Sequence, residues 1–166
     1  MTKELTLEEM EAILERHEQA EIDFDLDAVM ATIDDNPRFE MPALGLAIVG
    51  RDAVRAMYSR FLPGARDRRI FAVKRMHAVG TNILYREAFV SWDTSNGRKT
   101  GQYLVGMAIE NDRVQAERFY MDTTFAKVMG DMLGPDFANT PGIEPLTAGL
   151  STVDVETPWE TGVLPA

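Results

Sequence analysis

The segments IFAVKRMHAV (residues 70–79), NILYREAFVSW (82–92), TGQYLVGMAI (100–109) and VQAERFYMD (114–122) decide the fold. Before residue 70 apolar residues recur at the 3.6-residue period of a helix. From residue 70 they alternate with period 2, the signature of strands. The connections GT, DTSNGRK and ENDR suit hairpins, Asn96–Gly97 being the strongest turn signal. Four strands joined this way form an antiparallel meander.

Upstream, TLEEMEAILERHEQAEIDF (6–24) sets Met10, Ile13, Leu14, His17, Glu21 and Phe24 at helical spacing, and Thr6 with Glu9 resembles a capping box. DLDAVMATIDD predicts a second helix ended by Asn36–Pro37, RFEM a short strand, and GRDAVRAMYSRFL a third helix with Val54, Met57, Tyr58 and Phe61 on one face. Helices first and strands after define an α+β domain. The expected shape is a cone, three amino-terminal helices packed on a curved, mainly antiparallel sheet with a cavity between the layers. Beyond Gly134 the period is lost. Residues 1–134 are therefore read as the domain and 135–166 as an irregular, acidic, Pro/Gly-rich extension. Its Phe137, Ile143, Leu146 and Trp159 suit packing on the domain or on a partner subunit.

Composition excludes several functions. The 166 residues are 45% apolar with no cysteine, so disulfides, thiolate metal sites and cysteine nucleophiles are ruled out. A net charge of −10 argues against nucleic acid and anionic membranes as partners. No run approaches the roughly 20 apolar residues of a membrane span, and the expected location is the cytoplasm. His17 and His77 stand far apart without a ligand motif, so no metal is expected. No phosphate-cradling glycine loop is present either, and no cofactor is expected.

The order helix, helix, short strand, helix, meander, closing on RFYMD, resembles the nuclear transport factor 2-like superfamily over residues 5–134. The nearest likeness is to SnoaL-like polyketide cyclases, with ketosteroid isomerase and limonene epoxide hydrolase as cousins. The SnoaL-like pattern ends its last strand in Tyr-x-Asp, and that Asp is the acid/base. Tyr120 and Asp122 match, so the resemblance implies Asp122 as catalytic. Against ketosteroid isomerase, His17 falls at the oxyanion-binding Tyr and Met41 at the base, so that enzyme's mechanism is not carried over. The hydrolase's Arg-x-Asp falls on Arg86-Glu87-Ala88 and loses its Asp.

Alternation puts Ala116, Arg118, Tyr120 and Asp122 on one strand face, with Glu117, Phe119 and Met121 on the other. The first face is expected to line the cavity, with Asp122 and His17 meeting across it as a proton-transfer pair. Tyr58, Tyr103, Tyr120, His77, Arg86 and Arg118 are the expected substrate-binding residues. The expected function is a cofactor-free lyase, dehydratase, cyclase or isomerase acting on a mostly apolar small molecule, aromatic or polycyclic ones included. The alternative is a binding or assembly module of the same fold without chemistry. The resemblance also implies a homodimer.

Overall fold

The structure is a computed structural model that describes residues 3–146 of the chain, and only the backbone of 73–80. Helix α1 (Leu7–Ile22) starts at a complete capping box, in which the Thr6 hydroxyl accepts from the Glu9 amide and the Glu9 carboxylate from the Thr6 amide. It buries Met10, Ile13, Leu14, His17 and Ala20, the stripe that the spacing predicts. Helix α2 (Leu26–Ala31), capped by Asp25, is shorter than expected, because Ile33 already opens strand β1 (Ile33–Met41). Asn36–Pro37 therefore lies inside a strand, at an irregularity in its pairing between Ile33 and Arg38.

A single 3₁₀ turn, Pro42–Leu44, leads to β2 (Leu46–Val49) and then to α3 (Arg51–Asp67). The meander follows as expected: β3 (Phe71–Gly80), β4 (Ile83–Thr94), β5 (Gly97–Glu110) and β6 (Arg113–Met121). Helix α4 (Thr123–Leu133) then packs against α3. A 3₁₀ turn at Phe137–Asn139 and strand β7 (Ile143–Pro145) complete the described chain.

All seven strands share one sheet in the order β3-β4-β5-β6-β1-β2-β7. Its pairings are antiparallel except β1 with β6, which is parallel. Register shifts at Lys74/Met76 and Ala108/Ile109 are the irregularities that let a long meander bend. The helices cover the inner face of this curved, unclosed sheet. Residues 135–146 join the same fold: Phe137 is 1% exposed and Ile143 pairs with Ile48, while Trp159 lies outside the described residues. Burying one Phe side chain is worth about 1.5–3 kcal/mol, enough to hold this segment to the domain.

Candidate active site

A cavity of about 290 Å³ lies between the sheet and α1, α3 and α4. Most of its wall is apolar: Met57 and Phe61 from α3, Val105 and Met107 from β5, Phe119 from β6, Phe125 and Met129 from α4. Into this wall are set His17, Glu18 and Glu21 from α1, Tyr58 from α3, Arg86 from β4, Tyr103 from β5 and Glu117 from β6. Few polar groups in an apolar hollow is the usual make-up of a small-molecule site.

His17 is 2% exposed and held on both ring nitrogens. The Thr32 hydroxyl lies 2.7 Å from Nδ1 and donates its own proton to the Val29 carbonyl at 2.6 Å. A hydroxyl has one proton, so Thr32 accepts from Nδ1–H. That leaves Nε2 as the atom that faces chemistry, 3.0 Å from the Tyr58 hydroxyl, 3.4 Å from Glu21 Oε1 and 3.9 Å from Glu117 Oε1. Burial works to lower the His17 pKa, and hydrogen bonding and attraction to Glu21, with attraction to Glu117, outweigh it, so the net shift is upward.

Glu117 is 8% exposed. Burial pushes its pKa up to about 7; the His17 charge pulls the other way, and Glu21 adds to the rise. The cross-strand partner of Glu117 on β5 is Met107, and its neighbour on β1 is Phe39, so the surroundings that desolvate it are fixed by register. Tyr58 is raised well above the ordinary phenol range, first by burial and then by Glu21 and Glu117. Tyr103 is also raised, for the same reasons. Both phenols are proton donors at neutral pH.

Arg86 is 1% exposed and forms ion pairs with Glu18 and, at 2.6 Å, with Glu11, which ties β4 to α1 beside the cavity. Among the described residues no group of three or more His, Cys, Asp or Glu is arranged to hold a metal ion.

Of the sequence-expected residues, His17, Tyr58, Tyr103 and Arg86 line the cavity together. The face expected to look inward on β6 is the one that looks out. Tyr120 is 45% exposed, and Arg118 pairs with Glu40 away from the cavity. Glu117 and Phe119 take the inward positions, because a strand puts neighbouring residues on opposite faces. Asp122 does not face His17 across the hollow. It is the N-cap of α4, with Oδ1 accepting from the Phe125 amide at 2.7 Å and Oδ2 from the Gln102 amide at 2.9 Å. His77 sits on β3 among the residues whose side chains lie outside the described set. Glu117 and Glu21 were missed as site residues. The available signals were that Glu117 shares its face with Phe119 and Met121, and that Glu21 follows His17 by one helical turn.

A curved, unclosed sheet capped by helices over a hollow is the architecture of the nuclear transport factor 2-like class of α+β domains. The chain belongs to the SnoaL-like domain family, whose pattern matches residues 14–117, more than half of its length. Among curated proteins no match is found.

Solved structures share the fold. A nuclear transport factor 2-like protein of unknown function from Burkholderia pseudomallei is 17% identical with a TM-score of 0.59, over 73% of this chain and 97% of the other. A de novo designed protein with a curved β-sheet gives 18% identity and a TM-score of 0.61, over 77% and 97%. A protein with a ketosteroid isomerase-like fold from Catenulispora acidiphila, solved in complex with trimethylamine, gives 10% and 0.54, over 65% and 83%. At these identities the likeness shows the fold alone. No helix among the described residues is long and apolar enough to cross a membrane.

Proposed function

We propose that the cavity is a cofactor-free acid–base site of lyase, dehydratase, cyclase or isomerase type, acting on a small molecule with a largely apolar body. The observation that carries this reading is the placement of Glu117, a buried carboxyl with a pKa pushed up to about 7, at 3.9 Å from Nε2 of a buried imidazole. In this reading Glu117, rather than Asp122, is the partner of His17.

A general base works best when its pKa lies near the working pH. Near pH 7 about half of Glu117 is ionised and able to take a proton from a carbon or hydroxyl of the substrate. His17 supplies the acid from Nε2, held in orientation by Thr32, and the Tyr58 hydroxyl stands beside it as a hydrogen-bond donor to developing negative charge. Positioned proton transfer contributes about 10²–10⁴-fold to a rate, and exclusion of water by the apolar wall strengthens each polar contact inside. A homodimer fits the same reading, since the outer sheet face carries the exposed side chains of Tyr85, Phe89, Leu104 and Tyr120.

The test is turnover of a panel of aromatic ketones, diols and amines, followed by mass spectrometry, in the parent and in Glu117→Gln, His17→Asn and Asp122→Asn. The expected result is a loss of about 100-fold or more in the first two, with circular dichroism unchanged, and parent-like turnover in the third. Full turnover in Glu117→Gln on a substrate found with the parent overturns the assignment.

A further inference from the structure

Charge balance inside the cavity points to the chemical class of its ligand. Glu21 and Glu117 both converge on Nε2 of His17, at 3.4 and 3.9 Å. Among the described residues the other cavity cation is Arg86, which is engaged by Glu11 and Glu18. Among the described residues two carboxyl groups thus share one imidazole, and once Glu117 is ionised, as at pH 8, even a fully protonated His17 neutralises only one of them. Glu117 is the second sign: more than nine-tenths buried and lining the cavity, it has His17 Nε2 as a polar neighbour at 3.9 Å, beyond hydrogen-bond distance. A buried carboxyl without a hydrogen-bond partner is costly unless something else completes it.

The apolar part of the wall is suited to the same kind of ligand. Tyr103 lies 4.7 Å from Phe119 and 5.9 Å from Phe125, ring centroid to centroid, so three aromatic rings cluster on one side of the hollow. Aromatic faces attract cations and do so more strongly in a dry site. An anion there would meet two carboxylates and pay its own desolvation.

We propose that the ligand is a monocation with an apolar body, a protonated or quaternary amine, whose positive nitrogen sits between Glu21 and Glu117 and whose apolar part lies against Tyr103, Phe119 and Phe125. This rests on the cavity being the ligand site of the preceding reading and adds the charge of the ligand to it. It separates the molecule from a neutral ketone binder, for which a protonated Glu117 would donate to a carbonyl.

The experiment is calorimetric titration of the full chain at pH 8 with benzyltrimethylammonium, a fixed cation, and with pivalophenone, a neutral ketone of similar size. The expected result is at least about tenfold tighter binding of the cation, falling to near parity in the Glu21→Gln, Glu117→Gln double variant, with circular dichroism confirming the fold. Equal or tighter binding of the ketone overturns the proposal, and so does absence of cation binding at millimolar concentration. The two readings fail separately. Turnover of a neutral substrate lost in Glu117→Gln, with no cation preference, removes the charge assignment alone. Cation preference with turnover untouched by Glu117→Gln supports the charge assignment and removes proton transfer.

Discussion

The hydroxyl of Thr32 stands 2.7 Å from Nδ1 of His17 and 2.6 Å from the carbonyl of Val29, so one side chain at the carboxy-terminal cap of α2 fixes both the tautomer and the tilt of the imidazole. Thr32→Val keeps the shape and leaves a buried N–H without an acceptor. Such a loss costs about 1–3 kcal/mol. The urea midpoint is expected to fall accordingly, and turnover with it, while Thr32→Ser restores both. A Val variant with parent stability and turnover would show that the ring is oriented by its other contacts.

Asp122 is expected to act through the fold and not through chemistry. Its two oxygens join the start of α4 to β5, and Asp122→Ala should cost about 0.5–2 kcal/mol with turnover intact. Gly101 is the complementary position: a Cβ there would stand 2.9 Å from Asp122 Oδ1 and 3.1 Å from Phe125 Cβ. Gly101→Ala should destabilise by about 1–3 kcal/mol. In the double variant the two costs should sum to less than the separate values, because Asp122→Ala removes one of the two clashes. Chemical denaturation of the three variants measures this coupling.

The meander and the inward position of His17 were legible because each rests on a periodicity that burial enforces over many residues. The inward face of β6 was not. Arg118 and Tyr120 alternate with Glu117 and Phe119, so each face of the strand carries one charged and one aromatic residue, and a one-residue slip exchanges them. The outer sheet face holds exposed Tyr85, Phe89 and Leu104, so apolar content does not mark the inside there. A buried carboxylate reads as solvent-facing until its neighbours are known. Strands β2 and β7 escaped for another reason: at four and three residues they are too short to display a period.

Arg86 carries an expectation of stability. It is buried, and removing it takes from Glu11 and Glu18 the buried cation that both engage beside an apolar hollow. Breaking a buried ion pair by deleting one partner costs about 3–5 kcal/mol. Arg86→Leu is therefore expected to lower the urea midpoint strongly at pH 7. Parent-like stability in Arg86→Met, which keeps an apolar stem without the charge, would assign the role of Arg86 to packing.

The stability of the whole chain should carry the imprint of Glu117 and His17 as pH changes. Glu117 has a folded pKa of about 7 against an ordinary glutamate value of 4.5, so between those values the folded state holds a proton that the unfolded state has released. Stability from this group must fall as pH rises from 4.5 to 7 and level off above. His17, with a folded pKa raised above 6.5, contributes stability below 6.5 that is lost as pH climbs through its folded value. Both slopes have the same sign. Glu117→Gln removes the first, so its advantage over the parent should grow across this window to about 2–3 kcal/mol by pH 8. Urea unfolding at pH 5, 6, 7 and 8 measures the difference, and parallel curves for parent and variant would mean that Glu117 titrates as an ordinary, solvated carboxylate.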